Sequence, residues 1–147
     1  MAQHHFHLKG TWSGGRLGEG RIDAGGLGST VSVPTELGGP GAGTNPEDML
    51  LGSASTCYMI TLAAVLSNRQ LPVVEYTLNS ELIVSDDGGM RVEAITHRPT
   101  IVLAADATPE QLEKAEQATH RAEQACMISK ALKGNVELHV EPTISKQ

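Results

Sequence analysis

Apolar and polar positions along the chain follow two rhythms, a period near two in several short segments and a period near 3.6 in two long ones. Residues 4–12 and 28–34 (GSTVSVP) are rich in β-formers and flank the Gly-rich SGGRLGEGR, a pattern that predicts an N-terminal antiparallel hairpin or meander. ELGGPGAGTNP, residues 36–46, is too dense in Gly and Pro to be anything but a loop. A first helix is predicted from Pro46 to about Asn68. Thr44 and Asn45 are cap candidates, Glu47 and Asp48 suit the positive end of its dipole, and Pro72 enforces the stop. Leu50, Ala54, Thr61 and Val65 recur at spacings of four or seven and share a stripe with Cys57, and the small residues of this helix predict close packing against another element.

VVEYTLNSELIV (73–84) and MRVEAITHRPTIVLA (90–104) read as two long strands paired antiparallel across the turn SDDGG. Thr108 and Pro109 open a second predicted helix, with Glu110 and Glu113 early, Lys130 and Lys133 late, Gly134 as C-cap and Cys126 near its C-terminal end. NVELHVEP then supplies a last strand. The expected order is β-rich, helix, β-hairpin, helix, β: an α+β domain spanning 1–147, with antiparallel sheets and both cysteines on helices.

Composition narrows the function classes. At 147 residues with 39% hydrophobic and 19% charged, the chain has the size and balance of one globular domain. A net charge of −6 without any dense Lys/Arg cluster, and only one Trp, one Phe and two Tyr, argue against a nucleic-acid partner. CYMITLAAVL (57–66) is well short of the roughly 20 apolar residues a membrane span requires, and MAQHHFHLKG has no apolar signal-peptide core, so a cytoplasmic protein without a membrane partner is the expectation.

Two cysteines are too few for a secreted disulfide scaffold and too far apart in sequence for a CxxC site. They matter together only where the fold brings the two helices into contact; otherwise both are inert core thiols. A reactive thiol needs a lowered pKa, and Cys57 lies about three turns inside its helix, beyond the reach of the N-terminal dipole. A cation from elsewhere is one solution, and Arg16 in GGRLGEG is the candidate, with Arg21 close behind; the alternative is that Arg16 merely decorates a hairpin tip. Glu47 precedes Cys57 by ten residues, about 15 Å of helix and roughly 1000° of turn, so it cannot serve its own Cys57 directly. It either pairs with an arginine or is simply a favourable first-turn charge. His5 and His7 share a predicted strand face without a third ligand, His120 is poorly placed for a dyad with Cys126, and no metal site is expected. GGPGAG lacks the Gly-Lys-Ser/Thr ending of a phosphate loop.

As a set, these motifs resemble the OsmC/Ohr family, the osmotically inducible and organic hydroperoxide resistance proteins. GTNPEDMLLGSASTCYM has the family's Asn-Pro-Glu opening and its cysteine ten residues after the Glu, ACMISKALKGNVEL resembles the second cysteine segment, and GGRLGEGR resembles the loop bearing the arginine. TELGGPGAGTNPE is closer to the Ohr branch, while Met127 stands where Pro is common. The resemblance implies an intertwined homodimer and a thiol-dependent peroxidase without cofactor. In it Cys57 would be the attacking thiolate, Arg16 its stabiliser, Glu47 the orienter of the guanidinium and Cys126 the resolving thiol. It also implies organic hydroperoxides as preferred substrates over hydrogen peroxide, apolar surface from Met49, Leu50, Leu51 and Met127, and reduction by a lipoylated protein or small thiol. The competing expectation is a non-catalytic dimeric binding or structural protein of the same fold with inert thiols.

Overall fold

The computed structural model describes residues 1–147, which divide into two compact units, Met1–Leu50 and Leu51–Gln147. In the first, β1 (Lys9–Ser13), β2 (Glu19–Ala24) and β3 (Leu27–Val31) form an antiparallel meander in the order β1-β2-β3. The meander is as expected, but β1 begins at Lys9 rather than His4, and the exposed His4, His5 and His7 lie outside any strand. Period-two alternation in HHFHL marks no strand because none of its residues is buried.

The loop after β3 folds around a short 3-10 turn, Thr35–Leu37. Ser32 Oγ donates to Ala42 O (2.8 Å) and accepts from Ala42 N–H (2.7 Å), closing the loop on itself. Gly43 is required here: its φ is +66°, and a Cβ would collide with Thr30 O. Asn45 caps the following helix, accepting from Asp48 N–H at 2.8 Å while its amide donates to the Asp48 carboxylate at 2.9 Å. That helix, α1, runs Pro46–Asn68, as Pro46 and Pro72 predict.

The second unit is built on a sheet of β4 (Val73–Ser85), β5 (Arg91–Leu103), β6 (Glu137–Val140) and β7 (Thr143–Lys146). β4 and β5 pair antiparallel as expected; β6 and β7 pair parallel to β5, which corrects the expectation of purely antiparallel sheets. The last strand is also two strands. His97 O accepts from Glu141 N–H, so Pro99, two residues on, turns its missing donor to the same edge, where Pro142 separates β6 from β7.

The second predicted helix is broken in two, α2 (Pro109–Ala125) and α3 (Met127–Leu132). Thr108 and Gln111 form a full capping box at the start of α2. Cys126, with ψ at 123°, is the hinge between the two helices, so it lies on neither; this corrects its expected place inside a helix.

The main core joins Tyr58, Leu62 and Leu66 of α1 to Ile101 and Leu103 of β5 and to Ala115, Ala118 and Ala122 of α2. The buried stripe of α1 is therefore Ala54, Tyr58, Leu62 and Leu66, which keeps the predicted Ala54 but then runs one residue beyond the predicted Cys57, Thr61 and Val65. Cys57, Thr61 and Val65 sit half-buried at its edge. The other side of α1 is open, with Met59 43% and Ile60 66% exposed. Over an 18-residue window α1 has a mean hydropathy of 1.7, long and apolar enough to cross a membrane by length and composition, where the ten-residue run weighed alone was not.

Candidate active site

Tyr58 sets the rotation of α1. Its ring is fully buried and stacked on His97 of β5 (centroids 4.5 Å apart, planes within 11°), and its hydroxyl donates to Thr119 O of α2 at 2.9 Å. Removed from water, the phenol is held in its neutral donor form, its pKa pushed up by burial. His97 Nδ1 meets Ser80 Oγ at 2.7 Å while Nε2 is buried without a partner, and burial drives the imidazole pKa down to about 4. With Tyr58 pointed into the core, Cys57 is rotated by about 100° to the core's margin.

There its sulfur meets the α2–α3 hinge. Cys57 and Cys126 are both free thiols within hydrogen-bonding reach of each other. Burial alone would push the Cys57 thiol up. It is outweighed by donors that stabilise the thiolate: the Cys126 thiol, the backbone N–H groups of Ile128 and Met127, and the Thr61 hydroxyl, which together hold Cys57 below its ordinary value. Cys126 moves the opposite way, raised first by burial and then by donating to Cys57, against smaller help from Ser129 and Ile128. One sulfur is thus favoured as thiolate and its neighbour as thiol. The Thr61 hydroxyl also lies 2.8 Å from the Cys57 backbone carbonyl, so its single proton is divided between two acceptors.

The backbone donors at Met127 and Ile128 are what sequence reasoning missed. The dipole of α1 is indeed too distant from Cys57, but the break after Cys126 opens a second set of free N–H groups, the start of α3, beside the sulfur. Thr61, four residues after Cys57 and hence on the same helix face, was the legible part of that signal.

The remaining candidate side chains have contacts of their own. Arg16, in the exposed turn between β1 and β2, donates from its guanidinium to Leu37 O at 3.0 Å; Arg21 pairs with Asp23 at 3.1 Å. Glu47 occupies the first turn of α1 with one carboxylate oxygen buried and unpartnered. Leu51 packs with Ala54, Ile95 and Val136 in a second core cluster, Met127 is 72% exposed, and Met49 and Leu50 are half-buried. No group of three His, Cys, Asp or Glu side chains is arranged to hold a metal ion.

A fold with two adjoining free thiols, one favoured as thiolate, defines a class of thiol-bearing α+β proteins, and comparison with known proteins places the chain within it. Residues 39–141 match the model of the family described as OsmC-like protein, and the chain belongs to that family. It is 45% identical over 145 residues, 98% of its length and 97% of the other's, to the uncharacterized protein YmaD of Bacillus subtilis strain 168. It is 31% identical over 131 residues, 87% of each chain, to the organic hydroperoxide resistance protein of Xanthomonas axonopodis pv. citri. Among solved structures it is similar to an organic hydroperoxide resistance protein from Elizabethkingia anophelis, with a TM-score of 0.74, 26% identity, and 99% and 100% of the two chains covered.

Proposed function

We propose that the protein is a cysteine-based peroxidase that reduces organic hydroperoxides to alcohols, and hydrogen peroxide more weakly, as a single domain over 1–147. The observation that carries this reading is the contact of Cys57 and Cys126 with their pKa values displaced in opposite directions. The relatives named organic hydroperoxide resistance proteins support the choice of substrate. Cys57 thiolate attacks the terminal peroxide oxygen, the O–O bond breaks, and the departing alkoxide takes a proton to leave as alcohol. Cys57 is left as sulfenic acid. Cys126 then attacks that sulfur, its thiol proton leaving with the hydroxyl as water, and a Cys57–Cys126 disulfide remains. A dithiol, lipoylated or small, restores both thiols.

Arg16 is assigned to stabilise charge at the reacting oxygens, with Glu47 orienting its guanidinium; the unpartnered buried Glu47 oxygen is an acceptor in want of such a donor. A homodimer is supported by the exposed Met59 and Ile60 on α1, an apolar helix face that a second copy would cover. A cytoplasmic location agrees with a resolving chemistry that depends on reducing thiols. Met49, Leu50 and Met127 remain the residues proposed to meet the alkyl group; Leu51 contributes through core packing.

The deciding experiment mixes reduced protein with one equivalent of cumene hydroperoxide and maps the cysteines by mass spectrometry. Loss of both thiols and a Cys57–Cys126 linkage is expected. Two free thiols after treatment would sink the reading in favour of a non-catalytic protein of the same fold.

A further inference from the structure

Two side chains on or just beyond α1 bond to backbone carbonyls of α2. Tyr58 Oη donates to Thr119 O at 2.9 Å with both residues fully buried, and Arg69, one residue past the end of α1, donates to Lys114 O at 2.8 Å on the surface. The buried apolar residues of α2 that share a core with Tyr58, Leu62 and Leu66 are all alanines, Ala115, Ala118 and Ala122. Methyl groups bury area without interlocking, so such a face resists separation of two helices better than it resists sliding or rotation of one on the other. The Tyr58 bond has a direction. Because it ends on a carbonyl, it grips the backbone of α2 rather than a side chain free to turn.

Each end of that bond is tied to a thiol. Tyr58 follows Cys57 directly, and Thr119 precedes Cys126 by seven residues, two helical turns, which puts the two positions on one face of α2. Between them Ala122 O accepts the Cys126 N–H at 2.9 Å. The place of Cys126 is thereby fixed to the backbone of α2, and α2 to the Tyr58 hydroxyl. Arg69 is about three turns further along the chain from Cys57 and has no such link to either sulfur.

A disulfide demands more of two helices than contact does. Its sulfurs lie about 2.05 Å apart with Cα atoms about 4.4–6.8 Å apart, whereas slipping a helix by one residue displaces a side chain by about 1.5 Å and about 100°. We infer that Tyr58 is a positioning residue for the Cys57–Cys126 disulfide: its hydroxyl, bonded to Thr119 O, holds α1 on α2 in the register from which the two sulfurs join. The reduced chain is then already ordered in the geometry that the disulfide fixes, and bond formation costs less entropy. The place of this step in a catalytic cycle rests on the peroxidase reading, but its test needs no hydroperoxide.

The wild-type chain, Tyr58→Phe and Arg69→Ala are equilibrated with mixtures of reduced and oxidised dithiothreitol. The protein disulfide takes two electrons and two protons as the dithiol closes to its cyclic disulfide, and the free thiols at Cys57 and Cys126 are counted by alkylation and mass spectrometry. Phe keeps the ring and its stack on His97 and removes only the donor. The equilibrium constant for disulfide formation should fall about fivefold in Tyr58→Phe, the factor that one ordinary net hydrogen bond represents, and less than about twofold in Arg69→Ala, which loses the other bond between the same helices. A wild-type constant in Tyr58→Phe overturns the inference, as do equal shifts in the two variants, which would mean general loosening of α1 on α2. A chain that passes this test yet leaves hydroperoxide unconsumed fails the peroxidase reading alone; one that consumes hydroperoxide while Tyr58→Phe keeps the wild-type constant fails this inference alone.

Discussion

Cys57 and Cys126 are the same side chain in two settings. Cys57 is half-buried on the regular helix α1 and collects donors; Cys126 is wholly buried at a helix break, keeps its proton and donates it in a hydrogen bond to Cys57. Depth of burial alone does not account for the contrast, since burial raises both thiols. The difference lies first in the hydrogen bond between the two sulfurs, which lowers Cys57 and raises Cys126, while backbone N–H groups after the break serve both, Ile128 and Met127 for Cys57 and Ser129 and Ile128 for Cys126. Reactivity here is a property of the α2–α3 hinge as much as of the helix that bears the thiol.

The largest test of that asymmetry is to remove each sulfur in turn. Cys57→Ser should abolish hydroperoxide consumption, whereas Cys126→Ser should complete one turnover and stop as a sulfenic acid trapped by dimedone. Equal loss in both variants, with no dimedone adduct in the second, would erase the distinction. Next in size is Arg16→Ala, expected to slow the first oxidation by about a hundredfold, the usual loss on removing one donor to a developing negative charge, with little change in unfolding midpoint. If Arg21→Ala is the slower enzyme, the cation has been assigned to the wrong arginine.

His97 tests whether the core behind Tyr58 has to stay intact for the two sulfurs to meet. Its imidazole is buried neutral with a pKa near 4, against about 6.5 in the unfolded chain. The unfolded state takes the proton first as pH falls, so this stability is present above pH 6.5 and is lost progressively down to about 4, amounting to about 3 kcal/mol. Urea midpoints measured across that range should fall with pH in the wild-type chain. A His97→Gln variant should show a flatter profile, and parallel profiles would mean that other groups govern acid stability.

What was legible in the sequence followed from residues with strong local preferences. Asn45, Pro46 and Pro72 fix the limits of α1, Thr108 and Pro109 the start of α2, and the Asp-Gly turn the β4–β5 pairing. The break at Cys126 was not legible, because Ala-Cys-Met carries neither Gly nor Pro and tertiary packing decides its backbone. The buried stripe of α1 was misread by one residue. A helix whose apolar residues surround it has no sharp amphipathic face, so the Tyr58–His97 stack, a contact between distant segments, chooses the rotation. The same one-residue offset puts Cys57 at the margin rather than in the centre, where its sulfur meets the hinge.

The smallest expected effect concerns Thr61, and it resolves how the Cys57 donors share the work. The hydroxyl has one proton and two acceptors within reach, the Cys57 carbonyl at 2.8 Å and the Cys57 sulfur. When the sulfur is a neutral thiol, the carbonyl is the stronger acceptor; when it is a thiolate, charge favours the sulfur. Thr61→Val keeps the shape and removes the proton, so the thiolate loses the smallest of its four donors and its titration should move slightly to higher pH. The measurement is thiolate absorbance against pH in a Cys126→Ser background, which leaves a single sulfur to titrate. An unchanged midpoint would mean that the proton stays on the carbonyl in both states, leaving the backbone N–H groups of α3 and the residue-126 side chain to hold the Cys57 pKa down.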